Sequence, residues 1–235
     1  MTPIILDEVS STSDWLLGRA DSLPDGQWVR ARRQSAGRGR QGRAWAMAEG
    51  NLAASGLVRL RSSDPPAEQL GFVAGVALHA TCARHVAPAL LQLKWPNDLL
   101  LHGAKLAGIL LERQGDAVVV GVGVNLARAP VVPGRPTAAL PPPPPDPDQF
   151  LAAFLAAFAT ELACWRAEGF APIAERWRAR ATPPGTPLRL GDGRDVVLDH
   201  LAADGALVVR TGTGQETIRA GDVLLAHPPA SAGGS

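Results

Sequence analysis

The densest chemistry in the sequence lies between residues 34 and 45, Gln34-Ser35-Ala36-Gly37-Arg38-Gly39-Arg40-Gln41-Gly42-Arg43-Ala44-Trp45. Arg38, Arg40 and Arg43 are interleaved with Gly37, Gly39 and Gly42. Glycine lets the backbone approach a ligand closely, and guanidinium forks grip carboxylate or phosphate oxygens in pairs, so the stretch reads as an anion cradle. A second signal is the scarcity of lysine: of 23 Lys and Arg residues, only Lys94 and Lys105 are lysine. A composition rich in Ala, Gly, Pro and Arg converts lysine to arginine wherever any cation serves. The two that remain, close together in the chain, mark positions that need a compact ammonium. His79, Cys82 and His85 are spaced like part of a metal site, but no fourth ligand lies nearby and the surrounding segment is apolar.

Three ligands could occupy the cradle. Gly37-x-Gly39-x-x-Gly42 satisfies the dinucleotide fingerprint, which also needs a helix opening at the glycines and an acid about twenty positions on. Residues 43–50 have a poor helical pattern and residues 57–63 contain no acid. An arginine–glycine segment for RNA, with Trp45 as a stacking platform, is the second reading. The segment is short, however, and the whole chain carries a net charge of only +1. A loop that closes over a nucleoside triphosphate and a carboxylate explains the arginines, the glycines and Trp45 together.

The elements around these residues set the architecture. At 235 residues and 46 % hydrophobic, the chain can form one large domain or a large and a small one. Ser10-Ser11-Thr12-Ser13 is a helix N-cap signal that also presents hydroxyls. Strands are predicted at 27–32, 51–60, 91–95, 99–101, 105–112 and 117–126, the last four joined by short turns into an antiparallel meander. Helices are predicted from near Pro66 to Val86, from an Asp148 cap to about Arg166, and over 171–180. Pro141 to Pro145 reads as a stiff surface spacer. After Thr182-Pro183-Pro184-Gly185 the sequence alternates short strands with turns, a small β unit that must dock on the rest. Pro228 to Ser235 reads as a frayed tail.

Cys82 and Cys164 read as buried free thiols in a reducing compartment. There is no signal-peptide pattern, and no apolar run reaches the roughly 18 residues needed to span a bilayer, so the expected location is cytoplasmic, with no membrane partner.

Taken in order, Ser11-Thr12, Gln34 through Trp45, Lys94-Trp95-Pro96-Asn97-Asp98, Lys105 through Glu112 and Gly121-Val122-Gly123-Val124-Asn125 resemble the motifs of the biotin protein ligases, or biotin–acetyl-CoA-carboxylase ligases. The resemblance implies an α+β catalytic domain of the class II aminoacyl-tRNA synthetase and biotin synthetase type over residues 1–183. An SH3-like β-barrel over 184–228 and a flexible tail over 229–235 follow. It implies biotin and ATP as substrates, Mg²⁺ with the phosphates, and a biotin carboxyl carrier domain of acetyl-CoA carboxylase or another carboxylase as partner. The segment before Ser11 is too short for the helix-turn-helix domain of relatives that repress transcription, so no DNA partner is expected. A monomer and a homodimer are equally compatible with the sequence.

The same resemblance implies roles. Arg38, Arg40 and Lys105 would neutralise the biotin carboxylate and the α-phosphate as biotinyl-5′-AMP forms. Asp98, expected as an ordinary exposed carboxylate, would orient the carrier lysine rather than act as a strong base. Ser11, Thr12, Gln34, Gly37 and Gly108 would meet biotin, while Arg43, Trp45, Lys94, Asn97 and Asn125 would meet the nucleotide. Metal ligands are not assigned. Gln41 stands where many relatives carry arginine, Ser13 replaces a common asparagine, and residues 214–223 follow the family's ending only loosely. The loop from Gly37 to Arg43 is expected to be mobile when empty. The nearest rival is a lipoate- or octanoate-transferring enzyme of the same superfamily, and a different class of rival is a catalytically silent biotin- or nucleotide-binding module.

Overall fold

The computed structural model describes residues 2–225. Its larger part is a seven-stranded sheet in the order β1-β2-β3-β7-β6-β5-β4. The strands are β1 (Ile4–Val9), β2 (Trp28–Gln34), β3 (Leu52–Arg59), β4 (Leu91–Lys94), β5 (Asp98–Leu101), β6 (Ala104–Gln114) and β7 (Ala117–Val124). β4 to β7 form the expected antiparallel meander. β1 was not anticipated; it pairs in parallel with β2, which requires a crossover, supplied by α1 (Thr12–Leu17).

Side-chain alternation along β7 explains how one sheet serves both as core and as site. Val118, Val120, Val122 and Val124 point to one face and join the main core. That face is covered by α2 (Leu70–Cys82) and α3 (Pro147–Glu168), with α4 (Ala171–Arg178) packed against both helices. Trp28 packs edge-on against Phe154 and Phe158 of α3, with ring centroids 5.5 and 5.4 Å apart. On the opposite face, Ala117 and Val119 are covered by Leu16 of α1. The next two residues on that face are Gly121, against which Ser13 of α1 rests, and Gly123, which faces Trp45. The sheet is left with a floor of small residues.

Three helix expectations are corrected. The α-helix after Pro66 is only Leu70–Cys82, preceded by a 3₁₀ turn over Ala67–Gln69. It ends early because the chain must leave the helical region before Pro88, and the amides of His85 and Val86 turn back onto the Cys82 carbonyl. α3 is capped by Asp146, whose carboxylate accepts from the amides of Asp148 and Gln149; Pro147 takes the first helical position, and Asp148 instead pairs with Arg30. α3 also revises the hydropathy reading. Its 22 residues, with a mean hydropathy of 1.4 over the best 18-residue window, are long and apolar enough to cross a membrane by length and composition. Phe150, Phe154, Phe158 and Trp165 are nevertheless buried in the protein core.

The C-terminal part is a five-stranded antiparallel sheet of β8 (Pro187–Leu190), β9 (Asp195–Leu201), β10 (Leu207–Thr211), β11 (Gly214–Ile218) and β12 (Val223–Leu225), in the order β11-β10-β9-β8-β12. Leu188, Leu198, Leu207 and Val223 belong to the same buried cluster as the main core, so the unit docks rather than standing alone. Trp95 donates its indole N–H to the Gly205 carbonyl at 3.0 Å across the junction. Both cysteines are free, but only Cys82 is buried; Cys164 is half-buried, beside the Arg176 guanidinium. The tail expected beyond Pro228 lies outside the described residues.

Candidate functional site

A cavity of about 460 Å³ opens on the small-residue floor, lined by Ala53 and Ser55 of β3, Gly121 and Gly123 of β7, and Gly108 of β6. The glycines are there for approach. A Cβ at Gly123 would lie 2.3 Å from Trp45 Cε2, and one at Gly108 would lie 3.2 Å from both the Trp45 ring and Lys105 Cε. Trp45 therefore lies flat on the glycine floor, half-buried, and is not an ordinary core tryptophan.

One end of the cavity is a clamp of hydroxyls. Ser11 caps α1, its Oγ accepting from the Asp14 amide at 3.3 Å. That cap places Thr12 so that its amide and hydroxyl both donate to Gln34 Oε1, at 2.8 and 3.1 Å. Thr12 Oγ1 and Ser13 Oγ lie 2.8 and 3.1 Å from Ser55 Oγ. Ser55 escaped the sequence reading, although a serine amid the apolar residues of β3 was a visible signal. Hydroxyls can reorient as donor or acceptor, which suits this end to a neutral ligand with both N–H and C=O groups.

The other end is cationic. Lys94 Nζ and Lys105 Nζ lie 3.0 and 2.5 Å from the two oxygens of Asp98. β4 and β5 place Lys94 directly opposite Asp98, and β5 pairs with β6, which carries Lys105. Lys94 also donates to the Val223 carbonyl of β12 at 2.8 Å. Burial draws Lys94 below the usual lysine range, opposed by the charge and hydrogen bond of Asp98. Burial alone would raise Asp98, but the two ammonium groups outweigh it and hold the carboxyl below its ordinary value. Asp98 is therefore not the exposed carboxylate expected: its side chain is 12 % exposed, because the turn after Pro96 folds it between both lysines.

The arginine–glycine segment forms the rim. Gly39 donates to the Arg43 carbonyl at 2.7 Å and Trp45 to the Gly37 carbonyl at 2.8 Å, making a hairpin-like loop. Gln41 and Gly42, with φ of +56° and +70°, turn it in the left-handed region. Gly37 permits the close approach expected of it, since a Cβ there would lie 2.7 Å from the Trp45 carbonyl oxygen. Arg38 pairs with Asp14 and, at 2.7 Å, with Glu112 of β6. Arg40 reaches toward Asn97, 3.5 Å away. Arg43 makes a two-pronged pair with Asp222, which Arg135 also faces at 3.9 Å. Burial would raise the Asp222 carboxyl, but the Arg43 hydrogen bond and the charges of Arg43, Arg40 and Arg135 depress it. The loop expected to be mobile is thus tethered at both ends by ion pairs in this arrangement.

Two asparagines fix backbone around the cationic end. Asn97 donates to the Ile109 carbonyl at 2.7 Å. Asn125 donates to the carbonyls of Lys105 and Ala138, leaving its buried Oδ1 with no protein partner and available to a ligand donor. All the expected site residues border this one cavity except Gly37, which shapes its rim. Glu112, Asp14, Arg135 and Asp222 were missed. Asp14, Glu112 and Asp222 pair with loop arginines from distant parts of the chain, and Arg135 faces Asp222. His79, Cys82 and His85 converge on nothing: His85 stacks on Phe150 and Cys82 is buried in the core. Among the described residues no group of three or more His, Cys, Asp or Glu could hold a metal ion.

Comparison with known proteins places this geometry. The model of the biotin/lipoate A/B protein ligase family matches residues 6–125. A biotin–[acetyl-CoA-carboxylase] ligase of Paracoccus denitrificans is 40 % identical over 238 aligned positions, covering 94 % of this chain and 99 % of the relative. A ligase of the same name from Mycobacterium tuberculosis is 36 % identical, over 94 % of this chain and 87 % of its own length. In fold, the chain is similar to a biotin protein ligase from Aquifex aeolicus solved with biotin and ATP, with a TM-score of 0.83 at 24 % identity, over 97 % of this chain and 99 % of that one.

Proposed function

The chain belongs to the biotin/lipoate A/B protein ligase family, and from that premise we propose that it is an ATP-dependent biotin–[acetyl-CoA-carboxylase] ligase. The observation that carries the reading is the polarity of the one cavity: a hydroxyl clamp at one end, a lysine–aspartate–lysine cluster under an arginine rim at the other, and a glycine floor between them. Biotin matches that order, with a ureido group, an apolar bicycle and a carboxylate.

In the first step the carboxylate attacks the α-phosphate of ATP, giving biotinyl-5′-AMP and pyrophosphate. Two anions must meet, so the approach requires cations fixed in advance. Lys105 sits where the carboxylate and α-phosphate converge, and Arg38 and Arg40 neutralise the same charge from the rim. Arg38 must exchange its pairs with Asp14 and Glu112, and Arg43 its pair with Asp222, for substrate oxygens. Trp45, Asn97, Asn125 and Lys94 border the nucleotide. In the second step the amine of a carrier-domain lysine attacks the adenylate carbonyl and AMP leaves.

The carboxylates at and around the cavity suit arginine and lysine, not a divalent cation. Asp98, Glu112 and Asp222 are each held by cations. Magnesium therefore enters as part of the Mg–ATP substrate, with no protein cage for it among the described residues. Residues 1–183 form the catalytic unit and 184–228 an SH3-like unit whose Asp222 and Val223 complete the site. A cytoplasmic enzyme acting as monomer or homodimer on a carboxylase carrier domain fits this reading.

Incubation with labelled biotin, Mg–ATP and a biotin carboxyl carrier domain should transfer label to one carrier lysine. Transfer of lipoate but not biotin would move the assignment to the other branch of the family. Binding without turnover would leave a silent binding module.

A further inference from the structure

The chain's only two lysines share one carboxylate inside the site where an amine-reactive acyl adenylate would form. Transfer to an amine needs a nitrogen lone pair: the N–C bond forms, the C–O bond to phosphate breaks, AMP departs with its electron pair, and the nitrogen gives up a proton. A lysine held as ammonium cannot begin that sequence. We infer that Asp98 is a positioning residue that keeps Lys94 and Lys105 as ammonium groups and so prevents the enzyme from acylating itself. Acylation is thereby reserved for the incoming carrier lysine. This rests on the adenylate chemistry of the proposed function.

The geometry supports it from every side. Lys94 faces Asp98 from β5, Lys105 from β6, Asp222 from the approach to β12, and the Val223 carbonyl. Its burial favours the neutral, nucleophilic amine, and the carboxylate of Asp98 provides the main opposition. Lys105 is the more exposed of the two, 27 % exposed at its side chain, and it borders the cavity beside Trp45. Its Nζ lies 2.5 Å from Asp98, so the more accessible amine is also ion-paired. Every other basic side chain except histidine is arginine, so an escaping adenylate finds no surface lysine.

The test supplies synthetic biotinyl-5′-AMP without carrier and reads the labelled residues by peptide mass spectrometry. Wild-type protein should carry little label on Lys94 or Lys105. Asp98→Asn, which removes the carboxylate charge that both ammonium groups face, should raise it severalfold. Asp98→Glu should restore protection, which a purely structural role would not predict. Val131 is 97 % exposed beside the cavity-lining Val132, and Val131→Lys should become labelled while leaving transfer to carrier unchanged. A second measurement needs no variant: toward an acetyl N-hydroxysuccinimide ester at neutral pH, Lys105 of the wild type, paired with Asp98, should react more slowly than lysine in a model peptide. Peptide-like reactivity of Lys105, a folded Asp98→Asn without added label, or an unlabelled Val131→Lys would each overturn the inference. Failure of the wild type to label a carrier would instead count against the ligase reading, and the ester result would stand apart from it.

Discussion

The two cationic regions of the site are built in opposite ways. Lys94 and Lys105 stand on the two strands that flank β5 and share its Asp98 carboxylate, which is only 12 % exposed. Arg38 and Arg43 stand on a loop, are more than a third exposed, and pair with acids on α1, β6 and the C-terminal unit. The strand-borne pair is fixed before substrate arrives, and the loop-borne set can change partners. On the proposed function, charge needed for the chemical step is carried by rigid elements, and charge that closes over substrate is carried by exchangeable ion pairs.

That contrast can be broken most directly at Lys105. Lys105→Ala should lower the adenylation rate by about 10²–10³, a loss of about 3–4 kcal/mol of transition-state stabilisation, measured by pyrophosphate release. Unchanged adenylation would remove the strand-borne cation from the mechanism. Gly123→Val tests the floor both regions share; the added side chain collides with Trp45, and calorimetry should show biotin binding weakened by at least about tenfold, the equivalent of 1.4 kcal/mol. A smaller effect is expected from Asp222→Asn. It frees Arg43 from its tether and should change the KM for ATP several-fold with kcat little altered, and the change should shrink with added salt. An equal loss in kcat would mean the tether serves the chemical step.

The smallest effect concerns pH. Asp98 and Asp222 have depressed carboxyl pKa values, so their stabilisation is complete above the unfolded value of about 4 and is lost as the pH falls below it. His79 acts earlier. Burial, with Arg180 nearby, pushes it down from 6.5 to about 4, so the unfolded chain binds the extra proton first and stability declines as pH falls from 6.5 toward 4. Melting temperatures across that window should fall in the wild type and less steeply in His79→Gln; parallel curves would show that His79 carries none of the slope.

The sequence made the loop, the lysines and the meander legible because each is local: glycine–arginine spacing, a rare residue type, and strands joined by short turns. The partners of the arginines were not, since Glu112 and Asp222 lie 74 and 179 positions from Arg38 and Arg43 (112 − 38 and 222 − 43). β1 was missed because Ile4-Ile5-Leu6-Asp7-Glu8-Val9 does not alternate apolar with polar residues and its parallel partner is reached only through a crossover. Asp98 was identified by its motif but given the wrong environment. Burial depends on where β6 brings Lys105, and no spacing within the motif encodes that.

The contact between Lys94 and the Val223 carbonyl also has a consequence for how the protein comes into being. Every catalytic motif has been synthesised by residue 125, yet the carbonyl that fixes Lys94 and the carboxylate that tethers Arg43 arrive about a hundred residues later, some five to twenty seconds at ordinary rates of translation. A nascent chain holding all of its motifs is still an unfinished enzyme. On the proposed function, the site waits for Asp222 and Val223, and a product broken off before residue 222 would hold Arg43 and Lys94 without these two partners.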